Sequence, residues 1–178
     1  VTAFQSGYAI GLLCAGAFID RFGTRIGYAI AIGVWSLAAM GHALAMGALG
    51  FAIARFTLGL GEAGNFPAAV KTVAEWFPRR ERSLATGIFN AGSNIGAVAA
   101  PLLVPLIVMV WGWREAFLGT GLIGLIWLAV WMKVYRKPEK HAKLSQTELA
   151  HIRSDPPEPV VHVSWLRILR CRQAWAFI

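Results

Sequence analysis

Two oppositely charged residues, Arg55 and Glu62, lie inside a long apolar run at residues 50–77. Seven positions on a helix is nearly two turns, so both side chains would share one face, roughly 10 Å apart along the axis. Charges inside a membrane are costly unless they pair or meet water, and they commonly mark a transport pathway. The pair therefore suggests binding of an anion and a coupling ion. A buried structural ion pair is the alternative.

The composition is that of a membrane protein. Hydrophobic residues make up 57% of the 178 residues and charged residues only 15%, which argues against a soluble domain. Five apolar segments are each long enough to cross ~30 Å of hydrocarbon as a helix. They are residues 1–19, 26–46, 50–77, 84–110 and 116–134. The predicted fold class is an all-α membrane protein.

The basic residues indicate how the chain is oriented. The formal net charge is +8, but the lysines and arginines cluster in alternate loops and in the tail. This pattern fits the rule that cytoplasmic loops are positive, and it does not fit a nucleic-acid partner. Residue 1 is then expected on the outer side and residue 136 on the inner side. An odd number of helices and an abrupt apolar start predict further sequence upstream.

Other classes of site lack support in the sequence. The two cysteines, Cys14 and Cys171, are far apart and do not form a CxxC motif. The four histidines lie in different segments without helical metal-ligand spacing, so no metal or other cofactor is expected. No nucleophile with a nearby base is evident, which argues against an intramembrane enzyme.

The tail from Arg136 is polar. Ser145 and Glu148 have the spacing of a capping box, which predicts a short helix ending near Arg153. Prolines at 156, 157 and 159 would end it. Residues 165–172 alternate apolar and arginine side chains and predict a helix in the headgroup region. Residues 175–178 could begin another membrane helix.

A loop motif joins the first two segments. Its first glycine permits close helix contact, and the aspartate that follows can pair across a helix gap. Its second glycine permits a tight turn, and its two arginines can face an anionic leaflet. The motif resembles the loop signature of the major facilitator superfamily. The matching residues are Gly16, Asp20, Arg21, Gly23 and Arg25. The chain departs from the pattern at Ile26, where many members carry another basic residue.

The third segment resembles the fourth helix of that superfamily's anion:cation symporters, which include hexuronate, glucarate and galactonate carriers. Arg55, Gly59, Glu62 and Pro67 match this pattern. The resemblance implies that Glu62 binds the proton and that Arg55 attracts the anion or controls the proton affinity of Glu62. An anion that neutralises Arg55 would let Glu62 take a proton, which would couple the two binding events.

Further polar residues are candidates for lining the substrate site. Tyr8 lies near the expected midplane, where the sugar-acid branch often has a substrate-facing tyrosine; helix packing is the alternative. Asn90, Ser93 and Asn94 share one face of the next segment and suit polyol recognition, or else interhelical hydrogen bonds. By contrast, Lys71 and Glu75, an i,i+4 pair near the cytoplasmic end, are expected to be solvated or to snorkel and to bind no ligand.

The resemblance implies that the chain is part of a transporter, and that the intact transporter has about twelve helices in two halves. Residues 1–135 would be the second to sixth helices, residues 136–174 a central cytoplasmic loop with short amphipathic helices, and residues 175–178 the start of the seventh. The missing partners would be the first helix and the second half. The implied activity is proton-coupled uptake of a hexuronate or another sugar acid across a bacterial inner membrane.

Two alternatives stay open. The first is a carrier of another carboxylate, such as phthalate or allantoate. The second is a truncated membrane protein that does not transport. Residues 1–178 alone are expected to show no saturable uptake, because the polar face of Arg55, Glu62 and Asn94 would lack walls.

Overall fold

The structure, a computed structural model, describes residues 1–155, and this part of the chain is built from helices and short connections. Seven α-helices follow one another in this part, with 3₁₀ turns at His42–Leu44 and Pro138–Lys140. They are α1 (Thr2–Phe22), α2 (Thr24–Gly41), α3 (Gly47–Glu62), α4 (Asn65–Trp76), α5 (Arg79–Trp111), α6 (Trp113–Val134) and α7 (Gln146–Ile152).

Within the described residues, four helical stretches are long and apolar enough to cross a membrane. They correspond to α1, α2 with its 3₁₀ turn, α5 and α6. The third predicted segment differs, because α3 and α4 have 16 and 12 residues and are separated at Ala63 and Gly64. The prediction of one uninterrupted helix over residues 50–77 is therefore wrong.

Pro67 explains the interruption between α3 and α4. Proline has no N–H, so it cannot donate to the carbonyl of Ala63 four residues earlier, and its ring crowds that carbonyl. Just before the proline, the Gly64 amide donates to Gly61 O at 3.2 Å, which is three residues back rather than the four of an α-helix. The α-helical spacing resumes with the Ala68 amide, which donates to Gly64 O at 3.2 Å. Glu62 consequently ends one helix just before the break.

Glycines allow the helices around α3 to approach closely. A Cβ added at Gly59 would lie 2.8 Å from the Tyr8 amide nitrogen, so α1 packs against α3 backbone to backbone. On the opposite side, a Cβ at Gly61 would lie 2.6 Å from the Trp35 amide nitrogen of α2. Helix α2 also packs along α6 and therefore lies between α3 and α6. These contacts fix the position of the segment that carries Arg55 and Glu62.

Helix α5 contacts α4 and α6 and buries none of its own residues among those described. In this part of the chain its glycines do not bring a neighbouring helix close, because an added Cβ at Gly87, Gly92 or Gly96 would meet open space. Gly16, which the loop motif predicts at a close helix contact, has the same open surroundings. These glycines have no packing partner among residues 1–155.

The polar tail agrees with its predicted capping box. The Glu148 amide donates to the Ser145 hydroxyl at 3.2 Å, and the Ser145 amide donates to the Glu148 carboxylate at 2.9 Å. The helix that follows ends at Ile152, close to the predicted end. The predicted headgroup helix at residues 165–172, the prolines before it and the start of a further helix at residues 175–178 lie outside the described residues.

Candidate anion and proton site

A cavity of about 550 Å³ lies between α2, α3, α5 and α6, with the start of α4 at its edge. Most of its wall is apolar or aromatic. Its charged side chains are Arg55 and Glu62, both from α3, and its other polar lining residues include Asn65 and Thr120. An apolar pocket with a few convergent polar groups is the usual form of a small-molecule site.

Arg55 and Glu62 line the same cavity, as their helical spacing predicts. Both residues are exposed rather than buried. Among the described residues, neither belongs to an ion pair with the other or with a third side chain. The alternative of a buried structural ion pair therefore receives no support from these contacts. Both groups are available to a ligand in the cavity.

An aromatic wall faces Arg55. Its guanidinium carbon lies 5.9 Å from the centre of the Phe117 ring, within the range of a cation–π contact. The Phe117 ring stacks on His42 with 4.6 Å between ring centres. His42 is fully buried, and its Nδ1 lies 2.7 Å from the Ala38 carbonyl, which can only accept. That nitrogen must therefore carry the proton, and the ring is fixed in orientation.

Asn65 is a polar residue of the cavity that no pattern in the sequence singled out. It is the first residue of α4, directly after the interruption of the helix, and Glu62 lies three positions before it. The Tyr28 hydroxyl donates to Asn65 Oδ1 at 2.8 Å. The carboxamide NH₂ group is thus left as a donor on a residue that lines the same cavity as Glu62. Asn65 stands two positions before Pro67, and that spacing is the sequence signal that could have identified it.

The other predicted substrate-lining residues do not line this cavity. Tyr8 is half-buried, and its ring stacks on Phe4 of the same helix at 5.8 Å. Asn90, Ser93 and Asn94 are exposed on α5, whose contribution to the cavity comes from Val104 and Val108. The structure therefore brings Arg55 and Glu62 together with Asn65 and Thr120. The roles predicted for the tyrosine and the three α5 residues stay predictions.

The loop motif between α1 and α2 makes specific contacts. Gly23 has φ +78°, a backbone conformation that side chains other than glycine rarely adopt, and it forms the turn that the motif predicts. Asp20 forms an ion pair with Lys71 of α4, so it does pair across a helix gap. Arg25 donates to the Met132 carbonyl of α6 at 2.5 Å, and Arg21 is exposed. The motif thus links α1 and α2 to α4 and α6.

Glu75 is the centre of a second cluster at the same end of the helices. It accepts from Thr24 at 2.8 Å and from the Tyr135 hydroxyl, and Lys137 lies 4.0 Å away. Burial and the bond to this carboxylate raise the pKa of Tyr135, which keeps the phenol protonated as a donor. The expectation that Lys71 and Glu75 are solvated or snorkel is wrong, because Lys71 pairs with Asp20 of α1 and Glu75 accepts hydrogen bonds from other segments.

Within residues 1–155, no group of three histidine, cysteine, aspartate or glutamate side chains is arranged to hold a metal ion.

Comparison with known proteins gives consistent matches. The family model described as Major Facilitator Superfamily matches residues 1–178. The chain is 39% identical to a galacturonate transporter of Dickeya chrysanthemi, over 98% of this chain and 52% of that protein. It is 36% identical to a hexuronate transporter of Escherichia coli K12, over 98% of this chain and 42% of that protein. A D-galactonate transporter of Escherichia coli O6:H1 is 37% identical over 85% of this chain and 35% of its own length. The chain thus spans about half or less of these relatives.

Proposed function

The chain belongs to the major facilitator superfamily, and on that premise we propose that the protein containing it takes up a hexuronate or a related sugar acid together with a proton. Members of this superfamily are membrane transporters rather than enzymes, as the sequence predicted. The chain is accordingly an integral membrane protein. The relatives are named as carriers of galacturonate, hexuronates and galactonate, which supports a sugar acid as substrate. Their bacterial sources support a bacterial inner membrane.

The observation that carries this proposal is that Arg55 and Glu62 line one cavity without pairing. With Glu62 ionised, Arg55 and Glu62 together carry one positive and one negative charge. A monoanion bound to Arg55 adds a negative charge to a region of low dielectric, where uncompensated charge is costly. A proton on Glu62 restores neutrality. The site therefore favours binding both together, and this is the physical basis of symport.

The remaining cavity groups suit the rest of a sugar acid. A carboxylate can bind the guanidinium of Arg55 through two parallel hydrogen bonds. Asn65 offers an amide donor, and Thr120, whose hydroxyl donates to its own helix at Ala116 O, keeps its oxygen as an acceptor for a sugar hydroxyl. The Trp35 and Phe117 rings provide apolar surface for the C–H face of a sugar ring. These groups recognise a polyhydroxy acid better than a purely apolar one.

We further propose that the other predicted residues act in the intact protein. Tyr8, Asn90, Ser93 and Asn94 would face substrate where the first helix and the second half complete the cavity. Gly59 would let α1 approach α3 closely, and Pro67 would cause the break in the helix after Glu62. The loop motif would hold α1, α2, α4 and α6 together as one body while the two halves rock around the site.

Uptake by vesicles that contain the intact carrier tests the substrate class. Labelled galacturonate, glucuronate, galactonate and phthalate are compared in wild type, Arg55→Gln and the control Arg114→Gln. Arg114 lies at the start of α6 beside Trp113 and does not line the cavity. Saturable sugar-acid uptake that is lost in Arg55→Gln and kept in Arg114→Gln is expected. Uptake of phthalate alone would reassign the substrate, and no uptake of any anion would contradict the proposal.

A further inference from the structure

A second polar cavity, of about 490 Å³, lies where α1 ends, α2 begins and the chain leaves α6. Five of the residues that line it are basic: Arg21, Arg25, Arg136, Lys137 and Lys140. We propose that this cavity binds the phosphate group of an anionic phospholipid. The proposal concerns the membrane end of the bundle and does not depend on the transported substrate.

The backbone at the start of α2 favours an anion in this cavity. Gly23 is the N-cap residue and supplies no side-chain oxygen to the first free amides, and the first turn contains no acidic residue. The four residues Gly23, Thr24, Arg25 and Ile26 all line the cavity. The first amides of a helix lack partners within the helix and carry partial positive charge, which makes this position suited to phosphate.

Arg25 provides a positive charge in the same place, held by contacts with α6. Its Nη2 donates to the Met132 carbonyl at 2.5 Å, and its own carbonyl accepts from Trp131 Nε1 at 3.0 Å. Its Nε is buried and has no hydrogen-bond partner in the described part of the chain. That Nε is shielded from solvent and therefore from a ligand, so Arg25 favours a phosphate through its positive charge rather than through this N–H.

The acidic groups nearby are already compensated. Asp20 lines the cavity, but its carboxylate is paired with Lys71 of α4. Glu75 faces Lys137 at 4.0 Å and accepts hydrogen bonds from Thr24 and Tyr135. The cavity therefore keeps an excess of positive charge, to which Arg21, Arg136 and Lys140 contribute without acidic partners among the described ion pairs.

Apolar side chains beside the cavity favour a lipid over a free phosphate ion. Phe22 and Ile26 line it and remain 49% and 50% exposed. They lie at the ends of apolar helices, on the side predicted to be cytoplasmic, where anionic headgroups attract basic residues. Acyl chains could run along this exposed apolar surface while the phosphate occupies the basic cavity.

The test measures thermal unfolding of the intact, detergent-purified carrier with added dioleoylphosphatidylglycerol, dioleoylphosphatidylcholine or inorganic phosphate. Wild type is compared with Lys140→Gln, with Lys140→Gln/Arg136→Gln, and with Lys143→Gln. Lys143 is an exposed lysine three positions further along that does not line the cavity. These variants change exposed residues, so the fold is expected to persist, and unfolding without lipid provides the check.

Phosphatidylglycerol is expected to raise the unfolding temperature of wild type, with little effect of phosphatidylcholine. The half-saturating concentration of phosphatidylglycerol should rise about fivefold in Lys140→Gln and roughly 25-fold in the double variant. It should be unchanged in Lys143→Gln. Equal stabilisation by the two lipids would overturn the proposal. An equal loss of affinity for phosphatidylglycerol in Lys140→Gln and Lys143→Gln would also overturn it. Stabilisation by inorganic phosphate without stabilisation by phosphatidylglycerol would assign the cavity to a free anion and would also overturn it.

Discussion

The guanidinium carbon of Arg55 lies 5.9 Å from the centre of the Phe117 ring, which in turn stacks on the buried ring of His42. The proposed anion-binding arginine therefore rests on an aromatic side chain whose position is fixed by a hydrogen-bonded histidine. This arrangement holds the positive charge in the cavity without neutralising it, because an aromatic face attracts a cation and adds no negative charge.

Replacing Phe117 with leucine is expected to weaken anion binding while keeping the apolar packing. An exposed cation–π contact contributes about 0.5–1 kcal/mol, so the KM for the sugar acid should rise about two- to fivefold. Phe51→Leu is the matched control, because Phe51 contacts His42 and Trp113 but does not line the cavity. Equal KM values for Phe117→Leu and Phe51→Leu in vesicle uptake would argue against this role.

Asn65 and Tyr28 are expected to act as a unit in substrate binding. Asn65→Ala removes the amide donor, and the loss of one hydrogen bond of about 0.5–1.5 kcal/mol should raise KM by about two- to twelvefold. Tyr28→Phe keeps the contacts of the ring with Trp35 and Trp131 but releases the amide, so a smaller increase is expected. The double variant should resemble Asn65→Ala alone. Additive effects on KM would show that the hydrogen bond between these residues does not matter for binding.

Glu75 is expected to stabilise the fold more than Asp20 does. The Glu75 side chain is 18% exposed and accepts two hydrogen bonds from other segments, whereas the Asp20 side chain is 73% exposed. Glu75→Ala should cost about 1–3 kcal/mol because buried donors lose their acceptor, and Asp20→Ala about 0–1 kcal/mol as for a surface ion pair. Thermal unfolding of the purified carrier measures both. A larger loss of stability in Asp20→Ala than in Glu75→Ala would contradict the greater structural role of Glu75.

The capping box of α7 should depend on pH. Hydrogen bonds from the Ser145 amide and hydroxyl lower the pKa of Glu148. A carboxyl whose pKa is lowered by folding stabilises the folded state above its ordinary pKa near 4.5, and this stabilisation is lost as pH falls through the lowered value. Amide hydrogen exchange in α7 should therefore be faster in Glu148→Gln than in wild type at neutral pH.

Measurements at matched pH remove the intrinsic pH dependence of hydrogen exchange. The exchange rates of Glu148→Gln and wild type should converge in acid, and Gln146→Ala, which leaves both capping residues in place, serves as the control. A difference between Glu148→Gln and wild type that persists at acid pH would contradict the capping role.

Much of this arrangement follows from local sequence. Apolar length predicts the membrane helices, a seven-residue interval predicts that Arg55 and Glu62 share a cavity, and the capping box predicts α7, because each depends on residues close together in the chain. Pro67 was visible in the sequence, and its missing N–H is what divides the third segment. Hydropathy averages over a window of residues and therefore does not detect this local effect.

The rest depends on which helices become neighbours. Glu75 and Lys71 have the spacing of a solvated surface pair, and their partners, Tyr135 and Asp20, are 60 and 51 positions away. Asn65 has an unremarkable amide until Tyr28, 37 positions earlier, fixes its orientation. Helical periodicity cannot identify such partners, because it describes one helix at a time.

The central claim is that Glu62 couples the anion to the proton, and the most direct test compares two modes of transport in vesicles carrying the intact protein. Uptake of labelled galacturonate driven by an inward proton gradient is measured beside exchange of labelled for unlabelled galacturonate, in wild type and Glu62→Gln. The neutral amide keeps the shape of the side chain but cannot take up and release the proton. Loss of gradient-driven uptake with exchange retained is the predicted result, whereas gradient-driven uptake equal to that of wild type would contradict the account.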